Sequence, residues 1–256
     1  MELFQIIILS IVQGITEYLP VSSSAHLIIV SKITGWNDQG LIMDIFAHGG
    51  SLFAVIIYFR RDLLEALNSY SLTNSSSLLN KIFVATLPIV FVGFFSRDIA
   101  EIIFRDLNVI AFSTIIFAFI LWYVEKLRNK RSAEEDISLK SAFFIGLAQC
   151  LAIVPGTSRS AITIIAALFL GYSRVKALRF SFLLAIPTLL FIVLGEFANT
   201  NINEIEVNYE DIAAIMLFSF LSSLLCISIF LRFIDKLTFM PFVYYRLILG
   251  FGLLLF

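Results

Sequence analysis

The sequence predicts an all-α integral membrane protein with six transmembrane helices and two re-entrant helical hairpins in an inverted-topology repeat. Three observations carry this expectation: composition, the lengths of the apolar segments, and the placement of charge between them. Of the 256 residues, 59 % are apolar, 27 are Phe and only 14 % are charged, against about 25 % in an average soluble domain. Mean hydropathy is +0.95. A soluble protein of this size could not cover its surface with so few charges. A disordered chain, a nucleic-acid binder and an ordinary soluble enzyme are thereby excluded. The two cysteines, Cys150 and Cys226, lie in apolar runs and exclude a disulfide scaffold or a Cys-rich metal site. The start, MELFQIIILSIVQG, lacks the basic region of a cleavable signal peptide, so the apolar stretch from Leu3 is expected to remain in the mature chain.

A spanning helix needs ~20 mostly apolar residues, fewer where its ends snorkel. Six segments qualify, several of them short: 44–59, 82–95, 109–124, 180–197, 212–231 and 242–256. Two regions behave differently. Leu3–Val12 and Leu27–Ile33 flank the polar stretch QGITEYLPVSSSAH, and Ser141–Val154 and Ala161–Leu170 flank PGTSRS. Lipid does not tolerate exposed broken backbone, so each break must be buried in protein or line a wet cavity. Both regions are read as re-entrant hairpins, the alternative being pairs of full spans with a polar kink. Loop charge favours the hairpins. Loops 60–81, 125–141, 172–179 and 232–241 hold 13 Lys and Arg, whereas 35–43, 96–108 and 199–211 hold only Arg97 and Arg105. Basic loops stay in the cytoplasm. For 125–141 and 172–179 to share that side, the segment between them must return, and its halves are too short for two comfortable crossings. By the same count both termini lie outside.

An internal repeat fits this scheme. Residues 22–36 laid over 158–172, at a constant offset of 136, give six identities in fifteen without a gap: Ser22/Ser158, Ser24/Ser160, Ala25/Ala161, Ile28/Ile164, Ile29/Ile165 and Gly35/Gly171. One membrane domain, 1–256, would then consist of two repeats, about 1–124 and 141–256. Each holds one hairpin and three spans. Three is odd, so the second repeat enters from the opposite side, with broken helices meeting near the midplane.

Ionisable groups within a membrane protein are expensive and are functional candidates by default. The first break offers Gln13, Glu17, Ser22, Ser23, Ser24 and His26, with Gln13 and Glu17 on one helix face. The second offers Thr157, Ser158, Arg159 and Ser160. If the tips meet, a carboxylate, an imidazole, hydroxyls and a guanidinium converge beside two helix N-termini. A guanidinium, hydroxyls and a helix N-terminus suit a phosphate. Oxygen ligands with a phosphate suit Mg²⁺ or Ca²⁺. The set points to metal-assisted phosphoryl transfer. Competing structural roles are helix capping by Ser22 or Ser24, a plain Glu17–Arg159 ion pair, and a buried, satisfied His26. Asp44 and His48, beside Gly49-Gly50, read as helix contact and support for the site.

QGITEYLPVSSSAH (13–26) and PGTSRS (155–160) resemble the two signature motifs of the bacterial undecaprenyl-diphosphatase family, the bacitracin-resistance phosphatases. The resemblance extends over essentially the whole chain, including HGGSLFAVI. It implies two inverted repeats with re-entrant helices and six spans. It implies removal of the terminal phosphate from undecaprenyl diphosphate, which recycles the lipid carrier of peptidoglycan synthesis, in a bacterial inner-membrane protein whose cleft opens to the periplasm. The polyprenyl diphosphate and membrane lipids are the implied partners, with no nucleic acid; a homodimer is compatible with the sequence. The implied catalytic residues are Glu17, Ser23, His26 and Arg159. Ser22, Ser24, Thr157, Ser158, Arg159 and Ser160 would contact phosphate, and Glu17 with Gln13 would hold Mg²⁺ or Ca²⁺. The nucleophile stays open among His26, Ser23 and a water activated by Glu17; imidazole chemistry leads to the expectation that His26→Ala is the deeper loss. Gln13 replaces a Glu of many members, which implies weaker metal binding. Ala25 and Ala161 replace Gly, which bears on how closely the tips approach. The acid-phosphatase type of lipid phosphatase is excluded, because it needs a His after the Ser-Arg pair and none follows Arg159. A transporter or flippase for a lipid phosphate or small anion is the alternative function.

Overall fold

A computed structural model describes residues 2–36, 40–71, 77–103, 106–128, 136–199 and 208–255. The basic residues Arg105, Lys130 and Arg131, counted above, lie outside them. Among the described residues every element is helical: α1 (Leu3–Tyr18), α2 (Ser23–Thr34), α3 (Gly40–Tyr58), α4 (Arg60–Asn68), α5 (Leu78–Ile103), α6 (Leu107–Arg128), α7 (Leu139–Gln149, continued by a 3-10 turn at Cys150–Ile153), α8 (Arg159–Phe169), α9 (Arg174–Asn199), α10 (Tyr209–Phe233) and α11 (Met240–Leu253). Four of these, α5, α6, α9 and α10, are long and apolar enough to cross a bilayer. The pair α3 and α4, bent by 66°, makes a fifth if counted as one span. The expected sixth span falls on α11, whose 14 residues extend only about 21 Å at 1.5 Å per residue.

Both polar regions fold back on themselves. The Phe4 and Trp36 rings meet edge to face at 6.4 Å, joining the start of α1 to the chain just past α2. The Tyr172 hydroxyl donates to Ser141 Oγ at 2.9 Å, joining the start of α7 to the chain just past α8. At 11 residues each, α7 and α8 run about 16 Å, roughly half the hydrocarbon thickness. The helix ends that carry three of the basic loops also meet. Arg174 at the start of α9 pairs with Glu125 at the end of α6, and Arg179 pairs with Asp62 on α4. The ends bearing loops 60–81, 125–141 and 172–179 are therefore adjacent.

Close approach between helices comes from small residues, as in lipid it must. A Cβ added at Gly14 of α1 would lie 2.6 Å from the Ser219 carbonyl oxygen of α10, and one at Gly50 of α3 would lie 2.5 Å from that of Met216. Serines use this proximity: Ser223 Oγ donates to the Gly14 carbonyl at 3.1 Å and pairs with Ser51 Oγ at 3.0 Å. In the other hairpin, a Cβ at Gly146 of α7 would lie 2.2 Å from the Ala85 carbonyl oxygen of α5. α9 is the most enclosed of the long helices, burying Leu178, Phe182, Leu184 and Ala185 completely. Phe83, Phe91 and Phe94 of α5 point outwards, an apolar patch costly in water and ordinary in lipid.

These contacts set the first expected outcome. Gly146→Ala forces a Cβ into backbone that cannot yield, and overpacking costs about 1–3 kcal/mol. Gly252→Ala, with nothing within 4 Å of its added Cβ, should be neutral or slightly stabilising through helix propensity. Thermal unfolding in detergent should show a loss of several degrees for the first variant and none for the second; equal melting temperatures would contradict the packing of α7 on α5.

Candidate active site

The two breaks are built alike. Leu19 is extended at φ −74, ψ 148, as the residue before a proline prefers. Two residues past Pro20 the chain reaches Ser22 at φ 75, and α2 begins; in the second break Ser158 has φ 71 and α8 begins. Among the described residues these are the only non-glycine positions with positive φ. They occupy equivalent places at the offset of 136. Each hydroxyl pairs with the serine two residues on: Ser22 with Ser24 at 3.3 Å, Ser158 with Ser160 at 3.1 Å. Ser158 Oγ also caps α8 by accepting from the Ala161 N–H, whereas Ser22 makes no side-chain cap.

The tips touch despite Ala25 and Ala161, both fully buried. Ser160 Oγ donates to the Leu19 carbonyl at 2.8 Å. Glu17, only 7 % exposed, lies at the centre. Its Oε1 accepts from Arg159 Nη2 at 2.8 Å, and its Oε2 accepts from Ser23 Oγ at 2.7 Å and Gln13 Nε2 at 3.0 Å. His48 Nε2 stands 3.8 Å from that same Oε2. Arg159 also donates from Nη1 to the Ser181 carbonyl at 3.2 Å and lies 5.9 Å over the Tyr18 ring. Three buried polar atoms here have no hydrogen-bond partner: Gln13 Oε1, Thr157 Oγ1 and Arg159 Nε. A native protein rarely leaves such groups bare unless a ligand or water completes them.

Gln13, Glu17, Ser23 and Arg159 thus form one network, with the Ser22/Ser24 and Ser158/Ser160 pairs at the mouths of α2 and α8 and Thr157 behind. His26 has other partners. Its Nδ1 is 2.6 Å from the Ser22 carbonyl, which can only accept, so Nδ1 carries the proton; Nε2 then accepts from the Tyr245 hydroxyl, also at 2.6 Å. The two rings stack within 10° of parallel. The three-residue spacing of Ser23 and His26 implied a shared target, but on α2 the first turns to Glu17 and the second to α11.

Three residues exceed the reading from sequence. His48, read there as helix contact and support, has Nδ1 on the Asp44 carbonyl at 2.7 Å and turns its other nitrogen to Glu17. Tyr245 and Arg246 on α11 were not singled out. Arg246 is fully buried and donates to the carbonyls of Pro20, Gly156 and Thr157 in the two breaks. Its signal was present: a lone cation in the apolar run FVYYRLILG, costly unless it has a task.

Among the described residues no group of three or more His, Cys, Asp or Glu side chains is arranged to hold a metal. The oxygen donors at the site are the Glu17 carboxylate and the unpartnered Gln13 Oε1. That pair fits a hard divalent cation which keeps most of its waters and takes further oxygens from a substrate phosphate.

Comparison with known proteins gives the family. The family described as Bacitracin resistance protein BacA matches residues 6–252. Undecaprenyl-diphosphatase 1 of Pseudoalteromonas translucida (strain TAC 125) is 41 % identical over 263 residues, covering 100 % of this chain and 99 % of that protein. With a family match and a full-length relative in agreement, the chain belongs to the bacitracin resistance protein BacA family.

Proposed function

We propose that this protein is a membrane phosphatase that hydrolyses undecaprenyl diphosphate to undecaprenyl phosphate and inorganic phosphate, the activity named for its relative. The observation that carries the reading is the Ser23–Glu17–Arg159 network, in which a hydroxyl, a carboxylate and a guanidinium from two breaks meet at two helix N-termini. The transport alternative has no comparable support, since family and relative both point to the phosphatase.

In the mechanism we favour, the terminal phosphate enters between the mouths of α2 and α8. Their N-terminal N–H groups and the Ser22, Ser24, Ser158 and Ser160 hydroxyls receive its oxygens. Arg159 contributes its free Nε–H, and Thr157 Oγ1 is a further unspent donor. Ser23 Oγ attacks the terminal phosphorus as its proton passes to Glu17 Oε2. The bond to the bridging oxygen breaks, and undecaprenyl phosphate leaves as an anion. Water then attacks the phosphoserine, one of its protons passing to a phosphate oxygen, and Ser23 recovers its own from Glu17 as inorganic phosphate departs. Support for Ser23 comes from its 2.7 Å bond to Glu17, while both nitrogens of His26 are engaged. Glu17 and Gln13 Oε1 would hold Mg²⁺ or Ca²⁺, which when bound neutralises charge on the phosphate oxygens.

We further read the architecture as six spans and two re-entrant hairpins in two inverted repeats, in the bacterial inner membrane with the site opening to the periplasm. The closed hairpins, the length of α7 and α8, and the matched φ values of Ser22 and Ser158 support this.

Three outcomes follow from this reading. Ser23→Ala should abolish turnover, since the chemical step then lacks its nucleophile, while His26→Ala should keep a remnant, reduced by no more than the roughly 10²–10⁴-fold of a lost proton-transfer group. Phosphate release from detergent-solubilised protein measures both, and the opposite order would return the nucleophile to His26. Arg159→Lys should lose about 10²-fold or more in kcat/KM, because a point charge cannot replace a fork that holds Glu17 and a phosphate together; near-parental turnover would reduce Arg159 to a structural cation. Reporter fusions at 65–75, 130–138 and 174–178 should report inside and at 200–208 outside. Opposite sides for 130–138 and 174–178 would rule out the second re-entrant hairpin.

A further inference from the structure

Arg246 lies on α11, far in sequence from both breaks, and is fully buried. Its guanidinium spends every N–H on main-chain carbonyls. Nη1 donates to Pro20 and Thr157 at 3.1 Å each, Nη2 to Gly156 at 2.7 Å and Thr157 at 3.1 Å, and Nε to Thr114 of α6 at 3.4 Å. Pro20 and Gly156 are equivalent positions at the offset of 136, each two residues before the positive-φ serine of its break. One planar group therefore grips the matched carbonyl of each break.

We propose that Arg246 is a positioning residue that fixes the spacing and peptide orientation of the two breaks, and through them the site that receives the diphosphate. The second half of this statement rests on the phosphatase reading above. The physical link is the peptide plane. In a trans peptide the C=O and the following N–H point in opposite directions, and no peptide here is cis. Holding the Thr157 carbonyl toward Arg246 turns the Ser158 N–H away from it, at the mouth of α8 and next to Arg159. Holding the Pro20 carbonyl fixes the peptide one step before the one that leads into Ser22, whose Val21 N–H donates to the Leu19 carbonyl at 2.8 Å. Neither serine adopts its conformation cheaply, so a fixed external anchor is what keeps both in place. Arg246 touches neither Glu17 nor Ser23 in this network; it acts through backbone. Lysine cannot substitute, because its three N–H groups radiate from one atom whereas the guanidinium spreads five over a rigid plane.

The test reads geometry and kinetics separately. Ile33 and Phe169, near the ends of α2 and α8, are equivalent positions and are 67 % and 69 % exposed. Spin labels on Ile33→Cys and Phe169→Cys, in a Cys150→Ser, Cys226→Ser background, report the relative placement of the two half-helices by pulsed electron–electron double resonance. With Arg246 intact the label pair should give one narrow distance. In Arg246→Lys and Arg246→Gln the distribution should broaden, and kcat for undecaprenyl diphosphate should fall at least about tenfold in protein that remains monodisperse, since misplacement near 1 Å can cost up to about 10²-fold. Parental distances and parental kcat in either variant overturn the proposal. A broadened distance with unchanged kcat and KM overturns the positioning role. A broad distribution with Arg246 intact overturns the clamp whether or not the variants fold. If the parental protein releases no phosphate while the distance contrast holds, the clamp is supported and the phosphatase reading fails instead.

Discussion

The constraint on which the structure depends is that a chain broken inside a membrane must satisfy its own backbone. Each break frees carbonyls that a continuous helix would have used, and those carbonyls need other donors. This protein answers with side chains from other helices. Arg246 takes three break carbonyls, Ser113 Oγ donates to Pro155 at 2.5 Å, Thr114 Oγ1 to Gly156 at 3.4 Å, and Ser160 Oγ to Leu19 at 2.8 Å. The groups that satisfy the breaks thereby also locate them. Three of the polar atoms left over, Gln13 Oε1, Thr157 Oγ1 and Arg159 Nε, lie on or beside the residues that would meet phosphate. Structural need and chemical opportunity are divided atom by atom.

The Glu17–Arg159 pair joins the two breaks through one buried contact. Desolvating two charges offsets most of what their attraction contributes, and a buried pair is weak evidence of a stable fold. What the pair secures is a carboxylate whose two oxygens do different things: one is neutralised by the guanidinium, the other is left to order the donors Ser23 and Gln13. Removing either partner would strand the other charge at a cost of about 3–5 kcal/mol. Loss of activity at these two positions therefore needs a folding measurement beside it.

Much of this was legible from sequence, because the signals were local. The polar stretches around Pro20 and Pro155, set between apolar ones, marked the breaks, and the offset of 136 paired Ser22 with Ser158. That Glu17, Ser23 and Arg159 would come together followed from reading the two breaks as meeting tips. The failures are long-range. Nothing in the spacing of Ser23 and His26 reveals that Tyr245, 219 residues away, takes the imidazole. Helical spacing says which residues share a turn, not which neighbour each side chain finds. His48, read as helix contact and support for the site, does face Glu17, but spacing gave no sign of which group it would meet. α11 was counted as a span on hydropathy, and its 14 residues serve as much to carry Tyr245 and Arg246 to the breaks.

The two strained serines sharpen the division between holding and reacting. Glycine would adopt the φ of 75 and 71 seen at Ser22 and Ser158 without the penalty of about 1–3 kcal/mol that a side chain incurs there. A hydroxyl retained at such a position needs a use that outweighs the strain. Ser158 has one within the fold, since its Oγ accepts from the Ala161 N–H and caps α8. Ser22 has no such use: α2 receives no side-chain cap, and the hydroxyl meets only Ser24, itself exposed. The same backbone geometry is thus kept twice, once with a structural return and once without. The Ser22 hydroxyl, one residue before Ser23 at the mouth of α2, therefore meets no backbone group of its own helix, whereas that of Ser158 does.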